Sequence, residues 1–169
     1  MSGSLDRIAL RSVCILQEGA DSLLEGNPDY VLDCIDNIDT KVSLLLECNR
    51  RKLQVLCATG AGARADPTRV RIADISESAQ DPLSRSVRHR LKREHGINGG
   101  VTVVLSTEKP RVALCGLPTT DSTGKKASDL SASEFQIVPG FRVRTIPVLG
   151  PLPAIFGLTM ASYIVTQLA

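Results

Sequence analysis

Apolar positions along the chain fall into short unbroken runs separated by helix-periodic stretches. That arrangement predicts an α/β architecture. Tyr30, Val31, Leu32, Cys34 and Ile35 form one such run, the pattern of a strand buried on both faces of a parallel sheet. Asp36 and Asn37 stop it, because short polar side chains favour caps and turns over strand interiors. A helix is predicted from there to about Arg51, with Val42, Leu45, Leu46 and Asn49 on one face and Leu44 and Cys48 beside it. Arg50 and Arg51 suit its carboxyl end. Leu53–Thr59 is again nearly all apolar and reads as a second strand. Strand, helix and strand in about thirty residues make a βαβ unit, so the sheet is parallel here.

The next stretch, Gly60-Ala61-Gly62-Ala63-Arg64-Ala65, matches the dinucleotide fingerprint on paper. The fingerprint requires its glycines to open a helix. Here Asp66-Pro67 follows, and Thr68–Asp74 alternates polar with apolar residues, the pattern of a strand with one wet face. The glycines are therefore expected to let a loop pass close to a ligand or another backbone. Asp81-Pro82-Leu83 is a helix start, a capping Asp followed by Pro at the first helical position. That helix is predicted to run to about His95 and end at Gly96, burying Leu83, Val87 and Leu91. Val101–Ser106 is a further strand, and Arg111–Leu114 continues the ladder after the turn at Lys109-Pro110.

The ends of the chain carry weaker signals. Residues 1–29 are a poorly defined segment in which Ile8–Leu16 suits a strand and Ala20–Leu24 a helical turn. Gly26-Asn27-Pro28-Asp29 turns the chain into the strand at Tyr30. Residues 30–169 read as the main body, with a flexible Ser-, Thr-, Asp- and Lys-rich loop at 116–134 and an extended stretch at Arg142–Val148. From Thr145 to Ala169 there is no charge. Pro147, Gly150, Pro151 and Pro153 interrupt the first third, leaving an uninterrupted helix only from Ala154 to Leu168. A membrane span needs about twenty residues, so this helix is expected to pack on the sheet or on a twin subunit.

Composition narrows the picture. The 169 residues are 43% hydrophobic, enough for one domain with a core. A net charge of +2 gives no bulk attraction to nucleic acid or membrane. Aromatics at 3% argue against a stacking platform for single strands. The cysteines, at 14, 34, 48, 57 and 115, are odd in number and lack zinc-knuckle spacing. Cys34, Cys48 and Cys57 lie in apolar patterns, so reduced, buried thiols with no disulfide partner are expected. His89 and His95 have no partner spacing. Local charge is more informative: Arg85, Arg88, His89, Lys92 and Arg93 share the polar side of the predicted 82–95 helix. That side is either a solvated face or a patch for a nucleic-acid backbone, with Arg85, Arg88 and Lys92 as the contacts.

The other candidate chemistry lies at the end of the first strand. Ligands of an open parallel sheet bind at the carboxyl ends of its strands, and an Asp there can hold magnesium or a polarised phosphate. Helix capping alone would also account for Asp36 and Asn37, and the pattern leaves both readings open.

Four stretches together resemble one family. Asp33-Cys34-Ile35-Asp36-Asn37, with Lys41 after it, looks like the strand-to-helix turn of the ubiquitin-activating-enzyme-like, or ThiF, superfamily. Thr59–Arg69, Gln80-Asp81-Pro82-Leu83 with Arg88 and Arg90, and Leu105–Pro110 narrow the likeness to the tRNA threonylcarbamoyladenosine dehydratases, the fungal form above all. Pro147–Gly157 fits as well, so the resemblance covers about residues 23–169. It implies the carboxyl-terminal part of a Rossmann-like fold, its parallel strands continuing into a mixed sheet. It also implies an enzyme that uses ATP and Mg²⁺ to adenylate the carboxylate of threonylcarbamoyladenosine beside the tRNA anticodon. Loss of AMP then closes a cyclic oxazolone.

Carried over by position, Asp36 would bind the metal and the ATP phosphates, and Asn37, Gly60 and Gly62 would border the same pocket. Lys41 would lie nearby as a second catalytic group. The family further implies tRNA as partner, a homodimer, and an intracellular location, cytoplasmic or at the mitochondrial outer membrane, with membrane association. One feature departs from the family. Its glycine-rich nucleotide loop precedes the Asp turn, whereas the twenty-nine residues before Tyr30 hold no such motif. The chain is therefore expected to be an incomplete enzyme, or else a non-catalytic partner of the same fold. An adenylyltransferase for a ubiquitin-like or sulfur-carrier protein is the remaining alternative, disfavoured by the lack of zinc cysteines and of a thioester cysteine in a clear loop.

Overall fold

A computed structural model describes residues 24–26, 28–111 and 147–169. The first strand, β1, is Val31–Asp33, and helix α1 spans Ile38–Arg51. Strand β2 (Val55–Ala58) follows, then a 3₁₀ turn at Pro67–Arg69 and strand β3 (Val70–Asp74). A second 3₁₀ turn, Ile75–Glu77, leads to helix α2 (Pro82–His95), strand β4 (Thr102–Ser106) and the terminal helix α3 (Pro151–Leu168). Residues 112–114 of the expected Arg111–Leu114 strand, the 116–134 loop, residues 142–146 of the expected Arg142–Val148 stretch and most of residues 1–29 lie outside the described residues; Arg111 itself lies in a bend.

The sheet is mixed, in the order β1-β2-β4-β3. β1, β2 and β4 are parallel, with Leu32 opposite Leu56 and Cys57 opposite Val103. β3 runs antiparallel along the outer side of β4, pairing Ile72 with Val104. Alternation of side chains along the strands sends them into two cores. Cys57, Val103 and Leu105 pack under α1 and α2 with Val42, Leu45, Val87 and Leu91. Leu56 and Val104 face the other way, against Leu152, Phe156 and Met160 of α3. Tyr163 of α3 also meets Tyr30 edge to face, with ring centres 6.4 Å apart, a favoured geometry for two aromatic rings. The result is a three-layer α/β/α domain.

Local signals explain where the helices start and stop. The Asn37 side chain accepts from the Asp39 and Thr40 amides, capping α1, and Lys52 ends it in the left-handed region at φ 58°. Asp81 caps α2, with Pro82 at its first position and Gly96 closing it at φ 70°.

Three expectations need correction. β1 ends at Asp33, two residues earlier than the apolar run to Ile35 suggested, because the Asp33 carboxylate turns back to accept from the Ile35 amide at 2.9 Å. Cys34 consequently falls in the loop and is exposed, not buried, whereas Cys48 and Cys57 are buried. The terminal helix begins at Pro151, not Ala154, since proline is tolerated in a first helical turn, where amides have no intrahelical acceptor. By length and composition this 18-residue helix could cross a membrane, yet Leu152, Phe156 and Met160 are buried against the sheet.

Candidate active site at the carboxyl edge of the sheet

The parallel strands β1, β2 and β4 all end on one edge, and the loops that leave them are tied together there. The first tie is a buried ion pair. Asp33 closes β1 and is 0% exposed, and Lys41 reaches back from the first turns of α1 at 1% exposure. The Lys41 Nζ donates to Asp33 Oδ2 at 2.8 Å, to the Ala58 carbonyl at 3.0 Å and to the Cys57 Sγ at 3.3 Å. Desolvation opposes the Lys41 charge, but the net shift is upward because anionic neighbours offset it. Burial pushes the Cys57 thiol well up, so it stays protonated near neutral pH, and Asp33 is the anion that keeps Lys41 charged. The pair therefore joins the ends of β1 and β2 to α1, with the ammonium bonds directed inward.

Asp36 stands apart from this pair. It is exposed in the loop between β1 and α1, immediately before the cap Asn37. Its carboxylate accepts no hydrogen bond among the described residues, whereas the Asn37 side chain is taken up in capping α1. A carboxylate left free beside a helix amino terminus can meet a cation or a phosphate-bound metal. Among the described residues no group of three or more acidic, His or Cys side chains converges as a metal cage.

The second tie organises the glycine loop after β2. Arg64 is 3% exposed, and its guanidinium donates to four carbonyls: Gly60 at 2.8 Å, Gly62 at 2.9 Å, Gln80 at 3.0 Å and Glu108 at 3.3 Å. The first two belong to its own loop, the third precedes α2 and the fourth follows β4. Asp81 lies 3.7 Å from the same guanidinium and accepts from the Gly60 and Ser84 amides. A Cβ on Gly60 would come within 2.4 Å of Asp81 Oδ1. The close approach that Gly60 permits is thus to a neighbouring helix cap. The loop opens no helix and passes into the 3₁₀ turn at Pro67.

Glu108 completes the knot. It is buried at 6% exposure and accepts from the Ala65 amide at 2.9 Å and the Asp66 amide at 2.7 Å, while Arg111 Nε donates to it at 2.5 Å. Those two backbone amides and Arg111 hold its carboxyl down at about 2. Ala63 sits in the left-handed region at φ 57°, held by its amide on Pro147 O and its carbonyl on the Arg111 amide.

On α2, Arg85 donates to Ala79 O and Arg88 to the carbonyls of Ser76 and Ser78, so both brace the segment that leads into their own helix. Lys92 is exposed further along. Asp36, Gly60 and Gly62 thus lie on the carboxyl edge, where α2 begins; Arg85 and Arg88 sit in the first half of that helix, whereas Lys92 is in its last turn, away from the edge. The sequence reading missed Arg64, Asp81 as a loop anchor, and Glu108. A single arginine in a stretch of glycine and alanine was the available signal, because so small a loop leaves carbonyls that need a donor.

A model of the ThiF family matches residues 6–169, so the match reaches further towards the amino terminus than the four stretches above. The chain is 41% identical over 158 residues to tRNA threonylcarbamoyladenosine dehydratase 2 of Saccharomyces cerevisiae, a match covering 91% of this chain and 34% of the relative. It is 40% identical over 96 residues to a tRNA threonylcarbamoyladenosine dehydratase of Bacillus subtilis, covering 57% of this chain and 37% of the relative. The fold is that of the Escherichia coli tRNA N6-threonylcarbamoyladenosine dehydratase solved with AMP, at a TM-score of 0.68, 24% identity and coverage of 90% of this chain and 53% of that one. The chain thus spans about a third of the length of these curated relatives. The mixed sheet, the Asp turn after β1 and the family match together place this chain in the ThiF family.

Proposed function

We propose that the chain is the carboxyl-terminal part of an ATP-dependent dehydratase that cyclises threonylcarbamoyladenosine in tRNA. The observation that carries the reading is the position of Asp36. It is an exposed carboxylate, without a partner among the described residues, at the carboxyl end of a parallel strand, on a turn made rigid by the buried Asp33–Lys41 pair. The likeness to dehydratases of yeast and bacteria supports the substrate class.

The reaction asks for little covalent work from the protein. A carboxylate is a poor electrophile, and adenylation gives it a leaving group. The protein has to hold the two reactants in line and offset phosphate charge. Asp36 suits Mg²⁺, which usually takes one or two protein carboxylates along with substrate phosphates; bound there, the ion would screen the phosphate oxygens during attack. Gly60 and Gly62, clamped by Arg64, border the same edge. Lys41 acts on the site through Asp33, keeping the β1–α1 turn in one place. The phosphate cradle of backbone amides at a helix start is assigned to the part of the relatives that this chain does not cover.

The uncovered side of α3 supports a homodimer. Leu158 is 69% exposed, Val165 64% and Leu168 53%, on a helix without charge. Contact with a membrane, at the mitochondrial outer surface, is the competing proposal for the same side. Carbonate extraction of a tagged chain separates them: release from the pellet fits the dimer, and retention fits the membrane.

Mass spectrometry of tRNA nucleosides tests the activity. Residues 1–169 with ATP and Mg²⁺ should leave threonylcarbamoyladenosine unchanged. Adding the amino-terminal part of the yeast relative should remove one water from it. Robust cyclisation by residues 1–169 alone would overturn the placement of the ATP site.

A further inference from the structure

Beside the glycine loop lies a cavity of about 310 Å³ that the reading above does not use. Arg69, Gln80, Thr107, Lys109 and Arg111 line it, together with the carboxylates of Asp66 and Glu108. Its volume is at the small end of ligand sites, which run to about 300–1,000 Å³.

The two kinds of charge in this lining differ in what they face. The Glu108 carboxylate is buried and occupied by the Ala65 and Asp66 amides and by Arg111. Asp66 is engaged by the amide and hydroxyl of Thr68 and by Arg69. The cations are what solvent meets. The Arg69 side chain is 55% exposed and that of Arg111 63%, and Lys109 is exposed with no acidic partner among the described residues. The Arg69–Asp66 pair is solvent-screened and weakly held, so an incoming anion can take over Arg69, while Arg111 keeps its Nε on Glu108 and has its terminal nitrogens to offer.

The frame beneath is rigid. The Arg111 amide bonds to the Ala63 carbonyl at 2.8 Å, the Thr107 amide to the Arg69 carbonyl at 3.0 Å, and the buried Arg64 joins Gly60, Gln80 and Glu108. Gln80 links the cavity to the basic start of α2, because Arg85 donates to the carbonyl of the preceding Ala79. The cavity follows β4, two strands along from β1. At a strand spacing of about 4.8 Å, that is about 10 Å from the Asp36 turn along the same edge.

We propose that Arg69, Lys109 and Arg111 form a seat for an RNA phosphodiester, placing the backbone of the substrate so that its nucleoside extends towards Asp36. The proposal deepens the dehydratase reading and rests on it. RNA is favoured over a free nucleotide because the exposed Arg85, tied to the Ala79 carbonyl next to Gln80, carries the cationic surface past the cavity to the start of α2, further than one nucleotide needs. Phosphate contacts of this kind fix register without reading sequence.

The test is binding of the full chain to a fluorescent anticodon stem-loop RNA across a salt series. Arg69→Gln with Lys109→Gln is the variant, since it leaves the Glu108 knot untouched, and a thermal melt checks its fold. The slope of log affinity against log salt should fall by about 1.4–1.8, the loss of two phosphate contacts at about 0.7–0.9 each. Affinity at low salt should drop at least tenfold. An unchanged slope in the folded variant would overturn the seat while leaving the dehydratase reading to its own cyclisation assay. Displacement of the RNA by ATP at constant ionic strength would assign the cavity to nucleotide phosphates and overturn the RNA proposal. Absence of RNA binding by the unaltered chain would overturn it too.

Discussion

Lys41, expected as a second catalytic group beside the phosphates, is instead buried in an internal ion pair. Its ammonium is consumed by Asp33, Ala58 and Cys57 inside the protein. Lys41→Met would leave Asp33 buried and uncompensated, at a cost of roughly 3–5 kcal/mol. Replacing both partners, with Asp33→Leu added, should recover most of that in urea denaturation. Failure of the double variant to recover would mean that Asp33 has a role beyond pairing. Lys41 has its pKa raised in the folded state. Its stabilisation is therefore fully present below the unfolded value and is lost only as pH rises through the folded one. Glu108 runs the other way. Its pKa falls from 4.5 to about 2 on folding, so its contribution holds above 4.5 and is lost as pH falls towards 2. Acid unfolding followed by circular dichroism should show Glu108→Gln to be less stable at neutral pH, the difference narrowing through that window. A constant difference across it would contradict the assignment.

Elements were more legible in the sequence than their contacts. Asp81-Pro82 and Gly96 marked both ends of α2, and Asn37 marked the start of α1, because caps are local chemistry. The end of β1 was misplaced because a run of apolar residues does not record that Asp33 turns back on its own backbone. Arg64 was illegible for a related reason: its four acceptors come from three segments far apart in the chain. Gly60 was read as permitting a close approach, and the structure supplies the neighbour, Asp81. Gly60→Ala should therefore cost about 1–3 kcal/mol by overpacking, and Asp81→Ser should relieve part of it. A Gly60→Ala variant as stable as its parent would show that the loop can shift. On α3, Phe156→Ala should destabilise by about 3–5 kcal/mol. Leu158→Gln, on the open side, should leave monomer stability within about 0.5 kcal/mol and shift gel-filtration elution if that side joins two copies.

At the scale of the whole molecule, the described layers gather the candidate groups on one edge. The carboxyl edge presents Asp36 on a fixed turn, a clamped glycine loop and a basic cavity, all within a few strand spacings. Parallel topology brings them to one edge, which is why the βαβ pattern was informative about function. The relatives are about three times as long, and the nucleotide cradle belongs to the proposal for that larger assembly. The most direct measurement is nucleoside mass spectrometry of tRNA treated with the chain, ATP, Mg²⁺ and the amino-terminal part of the yeast relative, comparing Asp36→Asn with the unaltered sequence. The account predicts that the unaltered pair forms the cyclic nucleoside, and that Asp36→Asn loses most of that activity while its thermal midpoint stays the same. Full cyclisation by a folded Asp36→Asn variant would contradict it.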